Sequence, residues 1–91
     1  HQPQGLTFGA FVMSLATTAA VHFGDIADPV TGTTQANLTA AGQMIDILAL
    51  LEEKTRGNLS AEERQLRETI LYELRLRFIE AQGEQKRIIT P

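Results

Sequence analysis

From Ser60 to Gln82, apolar side chains fall on two opposite sides of one helical repeat, more than a single neighbouring helix can cover. With successive residues about 100° apart, Leu66, Ile70, Leu71, Leu74 and Phe78 gather on one side. Thr69, Tyr72, Leu76 and Ile79 gather on the other, and charged residues separate the two groups. Ser60 followed by Glu63 is the capping-box pattern, so a helix is predicted over Ala61–Gln82. It would span about 33 Å. Glu63/Arg67 and Glu73/Arg77 have the acid-first, four-residue spacing that favours ion pairs on a helix.

Two further helices precede it. The first runs from Leu6 or Thr7 to Phe23 and spans about 25 Å, with Thr7 as N-cap. Phe8, Phe11, Val12, Leu15, Ala19 and Phe23 share one face, beside a strip of small residues, Gly9, Ala16 and Ala20. The far side, Ala10, Ser14, Thr17, Thr18 and Val21, carries no charge, although a solvated helix face normally does. Covering by protein is therefore expected there too. Gly24 to Ala36 is a break containing the turn pairs Asp28-Pro29 and Thr31-Gly32, with Ile26 and Val30 expected to pin it to the core. The second helix starts at Asn37 and runs to Arg56, where Gly57 stops it. Its main apolar face is Ala41, Met44, Ile45, Leu48, Leu51 and Thr55, widened by Ile47 and Leu50. The short link Gly57-Asn58-Leu59 makes helices two and three antiparallel neighbours.

These readings define an all-α fold: a three-helix unit, made of a helical hairpin plus an apolar N-terminal helix, completed as an oligomeric helical bundle. Residues 6–82 form the single helical domain. His1 to Gly5 read as a processed or trimmed, disordered lead, and residues 83–91 as a mobile C-terminal tail. A domain built from 91 residues buries only about 60% of its unfolded surface, so assembly with other copies adds burial that one copy lacks.

Composition narrows the function. The absence of cysteine removes disulfides, thiolate metal sites and cysteine nucleophiles together. The net charge is only -3, but every Lys and Arg lies at or after Lys54, while Asp25, Asp28, Asp46, Glu52 and Glu53 precede it. This asymmetry suits complementary subunit surfaces and is too weak for a nucleic-acid footprint. Arg64, Arg67, Arg75, Arg77, Lys86 and Arg87 are interleaved with acids, the pattern of a solvated or subunit-facing surface. Leu6–Phe23 is short of the roughly 20 apolar residues a membrane span needs. It also contains Thr7, Gly9, Ser14, Thr17, Thr18 and His22, and no Lys or Arg precedes it.

The run Thr7-Phe8-Gly9-Ala10-Phe11-Val12-Met13-Ser14-Leu15-Ala16-Thr17-Thr18-Ala19 resembles the opening of a family of small bacterial proteins, domain of unknown function 1844. The resemblance continues through Val21-His22-Phe23-Gly24-Asp25-Ile26, Asp28-Pro29-Val30-Thr31-Gly32, Asn37-Leu38 and Ile45-Asp46-Ile47-Leu48. It closes with Leu51-Glu52-Glu53-Lys54-Thr55-Arg56-Gly57-Asn58-Leu59 and Leu71-Tyr72-Glu73-Leu74-Arg75-Leu76-Arg77-Phe78. It implies a bacterial, cytoplasmic protein and carries over no activity and no functional residues.

The residues themselves offer little chemistry. His22, Asp25 and Asp28 are close enough in sequence to share a metal or a proton, but a metal wants three or four ligands and only Asp46 remains to add. Local bonding of His22 and turn formation by the two aspartates is the favoured reading. Ser14, Thr17 and Thr18 have no second histidine within the domain to activate them and no nucleophile elbow. Asn37-Leu38-Thr39 and Asn58-Leu59-Ser60 fit the glycosylation triplet but read as helix starts. No catalytic, cofactor-binding or metal-binding residue is therefore expected, and no cofactor. The expected function is an interaction or scaffold module that self-associates through Thr69, Tyr72, Leu76, Ile79, Ile47 and Leu50, with docking of an unidentified protein also open. The alternatives are peripheral membrane association through the first helix and a metal-dependent enzyme using His22 and Asp25.

Overall fold

The computed structural model describes residues 5–89, with side chains as far as Lys86. The expected lead and tail fall outside the described residues at positions 1–4 and 90–91. Three helices make up the fold, α1 (Phe8–Phe23), α2 (Leu38–Lys54) and α3 (Ala61–Ile89), and no strand occurs among the described residues.

The helix boundaries follow from side-chain chemistry. Thr7 Oγ1 accepts from the Ala10 amide at 3.0 Å, and Asn37 Oδ1 accepts from the Ala40 amide at 3.1 Å. The capping box forms both ways: Ser60 Oγ accepts from the Glu63 amide at 3.1 Å, and Glu63 Oε1 accepts from the Ser60 amide at 2.9 Å. At the end of α1, Gly24 takes a φ of 81°. Its amide donates to the Val21 carbonyl and the Asp25 amide to the Ala20 carbonyl, a Schellman closure. Only glycine suits this position, because a Cβ would also come within 3.3 Å of the Ala36 amide nitrogen.

Two apolar clusters set the topology. Val12, Leu48 and Leu71 are buried together, with Phe8, Leu51 and Leu66 packed against them. Ala19, Phe23, Ala41 and Ala81 form the other cluster, with Leu38, Met44 and Phe78 alongside. The start of α1 therefore meets the end of α2 and the start of α3, so α1 and α3 run one way, α2 runs the other, and each helix packs on both of the others. Small residues admit large ones at the crossings. A Cβ on Gly9 would lie 3.5 Å from a Leu66 methyl, and one on Gly42 would lie 3.4 Å from the Phe78 ring.

Several expectations need correction. α2 ends at Lys54, capped by Thr55, whose hydroxyl donates to the Leu51 carbonyl at 2.6 Å. Gly57, at φ 85°, instead turns the link to α3. Ile26 and Val30 do not pin the loop, since they are 42% and 91% exposed. The loop is held by its own polar groups: Asp28 Oδ1 accepts from the Val30 amide, the Asp28 carbonyl from Gly32, and the Thr33 carbonyl from Asp28. The spaced pairs Glu63/Arg67 and Glu73/Arg77 do not form. Arg67 faces Glu52 and Glu68, and Arg77 faces Asp25, Glu80 and Glu84. α3 also passes through Gly83 rather than ending at Gln82. Its 29 residues span about 44 Å, against about 24 Å for the 16 of α1.

The core is thin. Among the described residues, Leu48 and Val12 are the largest fully buried side chains, and three of the seven buried apolar residues are alanines. The chain measures 57 × 27 × 16 Å, so its narrow dimension is little more than one helix diameter.

Candidate interaction surface

Of the eight large apolar residues left exposed among the described residues, three share one face of α3. Tyr72, Leu76 and Ile79 are 64%, 47% and 64% exposed, with Thr69 exposed beside them. Their stripe lies on the side of α3 opposite Leu71, Leu74, Phe78 and Ala81, which are spent on the core. The second apolar face read from the sequence is thus turned outward.

On the α2 side the stripe meets a groove. Gly42, Ile45, Asp46, Arg75, Phe78 and Ile79 line a cleft of about 430 Å³. Gly42 supplies no side chain there, so the edge of the Phe78 ring forms the floor. Asp46 on α2 and Arg75 on α3 flank the cleft as opposite charges, and neither has an ion-pair partner among the described residues. Leu50, 52% exposed, follows Asp46 by one turn and so belongs to the same face. Ile47 does not: the 100° step per residue turns it to the flank of α2 away from the groove, where it is half-buried. Of the candidate residues, Ile79 lines the cleft itself, while Leu50 and Ile47 lie on α2 outside its lining. Sequence reasoning missed Asp46 and Arg75, whose juxtaposition follows only from the register of α2 against α3.

Of the two aspartates expected to form the turn, only Asp28 uses its side chain there, while the Asp25 side chain turns to α3. The Asp25 carboxylate accepts two hydrogen bonds from Arg77, from Nε and Nη2, each at 2.8 Å. These bonds hold Asp25 below its ordinary carboxylate pKa and push Arg77 further up. The Arg77 guanidinium also lies 5.4 Å from the Phe23 ring centre, and Phe23 meets Phe78 edge-on at 6.5 Å. The pair thus clamps the end of α1 onto α3. Asp28 shapes the loop, while the His22 carbonyl accepts from the Asn37 amide at 2.6 Å. His22 and Asp28 share the wall of an open polar cleft of about 660 Å³ with Thr31, Thr33 and Asn37. No group of three or more histidine, aspartate or glutamate side chains converges among the described residues.

Arg67 is the one buried charged residue among those described, 3% exposed. Its Nη atoms lie 3.7 and 3.5 Å from Glu52 and Glu68, and its Nε has no hydrogen-bond partner. Of the uncharged side of α1, Ala10, Ser14, Thr17 and Thr18 remain exposed and Val21 is half-buried; Met13 is exposed beside them. No helix among the described residues is long and apolar enough to cross a membrane.

A thin, antiparallel three-helix bundle with an apolar, charge-flanked outer face is the class that fold and surface define. The chain belongs to the family described as domain of unknown function (DUF1844), whose model matches residues 5–80. Comparison with curated proteins and with solved structures returns no match.

Proposed function

We propose that this chain is a self-associating helical module, an interaction or scaffold unit acting through the outer face of α3. One observation carries the reading: Tyr72, Leu76 and Ile79 form a continuous exposed apolar stripe opposite the core. An apolar stripe on a small monomer normally marks a surface that another protein covers. A second copy is the simplest cover, and the thin core gives association an energetic motive. We place the module in the bacterial cytoplasm, a setting that the sequence resemblance implies and that a chain without cysteine suits.

Light scattering at micromolar concentration and ordinary salt tests the proposal. An assembly larger than 10.0 kDa is expected, with Leu76→Glu moving it toward smaller species. Unchanged mass in Leu76→Glu would remove α3 from the interface.

A second reading, peripheral attachment to a membrane through α1, draws on its uncharged exposed side and on Leu6 and Met13, 76% and 47% exposed. With every Lys and Arg at or after Lys54, α1 has no cation of its own to reinforce binding to anionic lipid. Flotation with liposomes separates the two readings: protein that stays out of the lipid fraction rejects attachment.

A further inference from the structure

Asp46 and Arg75 face the same apolar groove from opposite helices, and neither has an ion-pair partner among the described residues. Resting on the self-association reading, we infer that two copies pair face to face about a two-fold axis lying along this groove, parallel to α2 and α3, with Arg75 of each copy against Asp46 of the other.

The register of the two helices supports this arrangement. Asp46 and Gly42 stand level with Arg75, Phe78 and Ile79, because all five line one cleft. α2 and α3 are antiparallel, so Leu50, one turn past Asp46, stands level with Tyr72, one turn before Arg75. An axis parallel to the helices preserves level and exchanges the two helices. It sets α3 of one copy on α2 of the other, Tyr72 against Leu50, Arg75 against Asp46, and Ile79 over the gap at Gly42. The same contacts recur on the other side of the axis, as an isologous interface requires.

The extent of the surface points the same way. Thr69 to Ile79 covers only about 15 Å along α3. A stable interface removes about 800 Å² per partner, so α3 alone is too small and the α2 side must contribute. Face-to-face pairing also makes a four-helix core in which each new neighbour is antiparallel, the usual order of such bundles.

Charge exchange tests the pairing. Asp46→Lys and Arg75→Glu are prepared separately and their association measured by sedimentation equilibrium. Each alone juxtaposes like charges and should weaken association by about tenfold or more. Mixing the two variants should restore it, because the lysine introduced in one chain then meets the glutamate introduced in the other, while each chain keeps a like-charged groove of its own. A wild-type dimer indifferent to either substitution overturns this pairing and leaves self-association standing. Weakened single variants that mixing does not rescue overturn it as well. A monomeric wild-type chain overturns both readings. Circular dichroism confirms that each variant remains helical before it is scored.

Discussion

Arg77 reaches Asp25 across 52 positions of sequence and grips both of its carboxylate oxygens at 2.8 Å. The bridge ties Asp25, whose amide completes the Schellman closure of α1, to the middle of α3, and Glu80 and Glu84 hold the same guanidinium at 3.8 and 3.6 Å. It joins two helices that no loop connects directly.

Asp25→Asn should lower stability at neutral pH by about 1 kcal/mol, the upper end for an exposed pair, because the bond is bidentate. The sign of the pH dependence follows from the depressed carboxylate. Its folded pKa lies below the ordinary value of 3.8, so the unfolded chain binds more protons as pH falls through that region. The contribution of Asp25 is complete above that value and is lost as pH drops through the folded pKa. Urea midpoints measured from pH 7 down to pH 2 should show wild type and Asp25→Asn separated at the top and converging below about pH 4. A gap that persists at the acid end would mean that the bridge is not the source of the difference.

The capping box gives a local test. Ser60→Ala should cost about 1 kcal/mol, since the Glu63 amide loses its acceptor at an exposed helix start. Thermal denaturation reads this directly. A loss below about 0.3 kcal/mol would show that water replaces the hydroxyl without cost.

Two glycines should respond in opposite directions. Gly83 lies inside α3 with open space where a Cβ would go, so Gly83→Ala should stabilise by up to about 1 kcal/mol. Gly24 has φ 81° and the Ala36 backbone close by, so Gly24→Ala should destabilise by about 1 kcal/mol or more. Equal shifts in melting temperature for the two variants would contradict the backbone assignments.

Arg67 is buried with long ion-pair contacts and an unpartnered Nε. Replacing such a group with an apolar side chain of similar length removes a desolvation cost. Arg67→Met should therefore lose no stability and gain up to about 2 kcal/mol in chemical denaturation. A loss greater than about 1 kcal/mol would show that the guanidinium makes a net favourable contribution.

Much of the fold was legible because its determinants are local. Thr7, Asn37 and the Ser60/Glu63 box announce helix starts within four residues, and the three apolar faces follow from helical periodicity. The outward stripe on α3 was legible for the same reason. What depends on helix register was not. Nothing near Arg77 in sequence distinguishes Asp25 from Glu73 as its partner, and helix packing alone decides between them. The same holds for Asp46 and Arg75. The helix was expected to end at Gln82, yet Glu84, Gln85 and Lys86 are good helix formers, and the Arg77 contacts to Glu80 and Glu84 bridge Gly83. Ile26 and Val30 looked like anchors by hydropathy, but the loop folds on its own Asp28 and Thr33 bonds and needs no apolar anchor.

The central claim is that the face carrying Tyr72, Leu76 and Ile79 is covered by a second copy. Sedimentation velocity over a dilution series, comparing wild type with Leu76→Glu, tests it most directly. The account predicts a wild-type species of about twice 10.0 kDa that dissociates on dilution, and a folded Leu76→Glu chain shifted to the single-chain mass. A wild-type chain that sediments at 10.0 kDa throughout the micromolar range, while melting cooperatively, would contradict it.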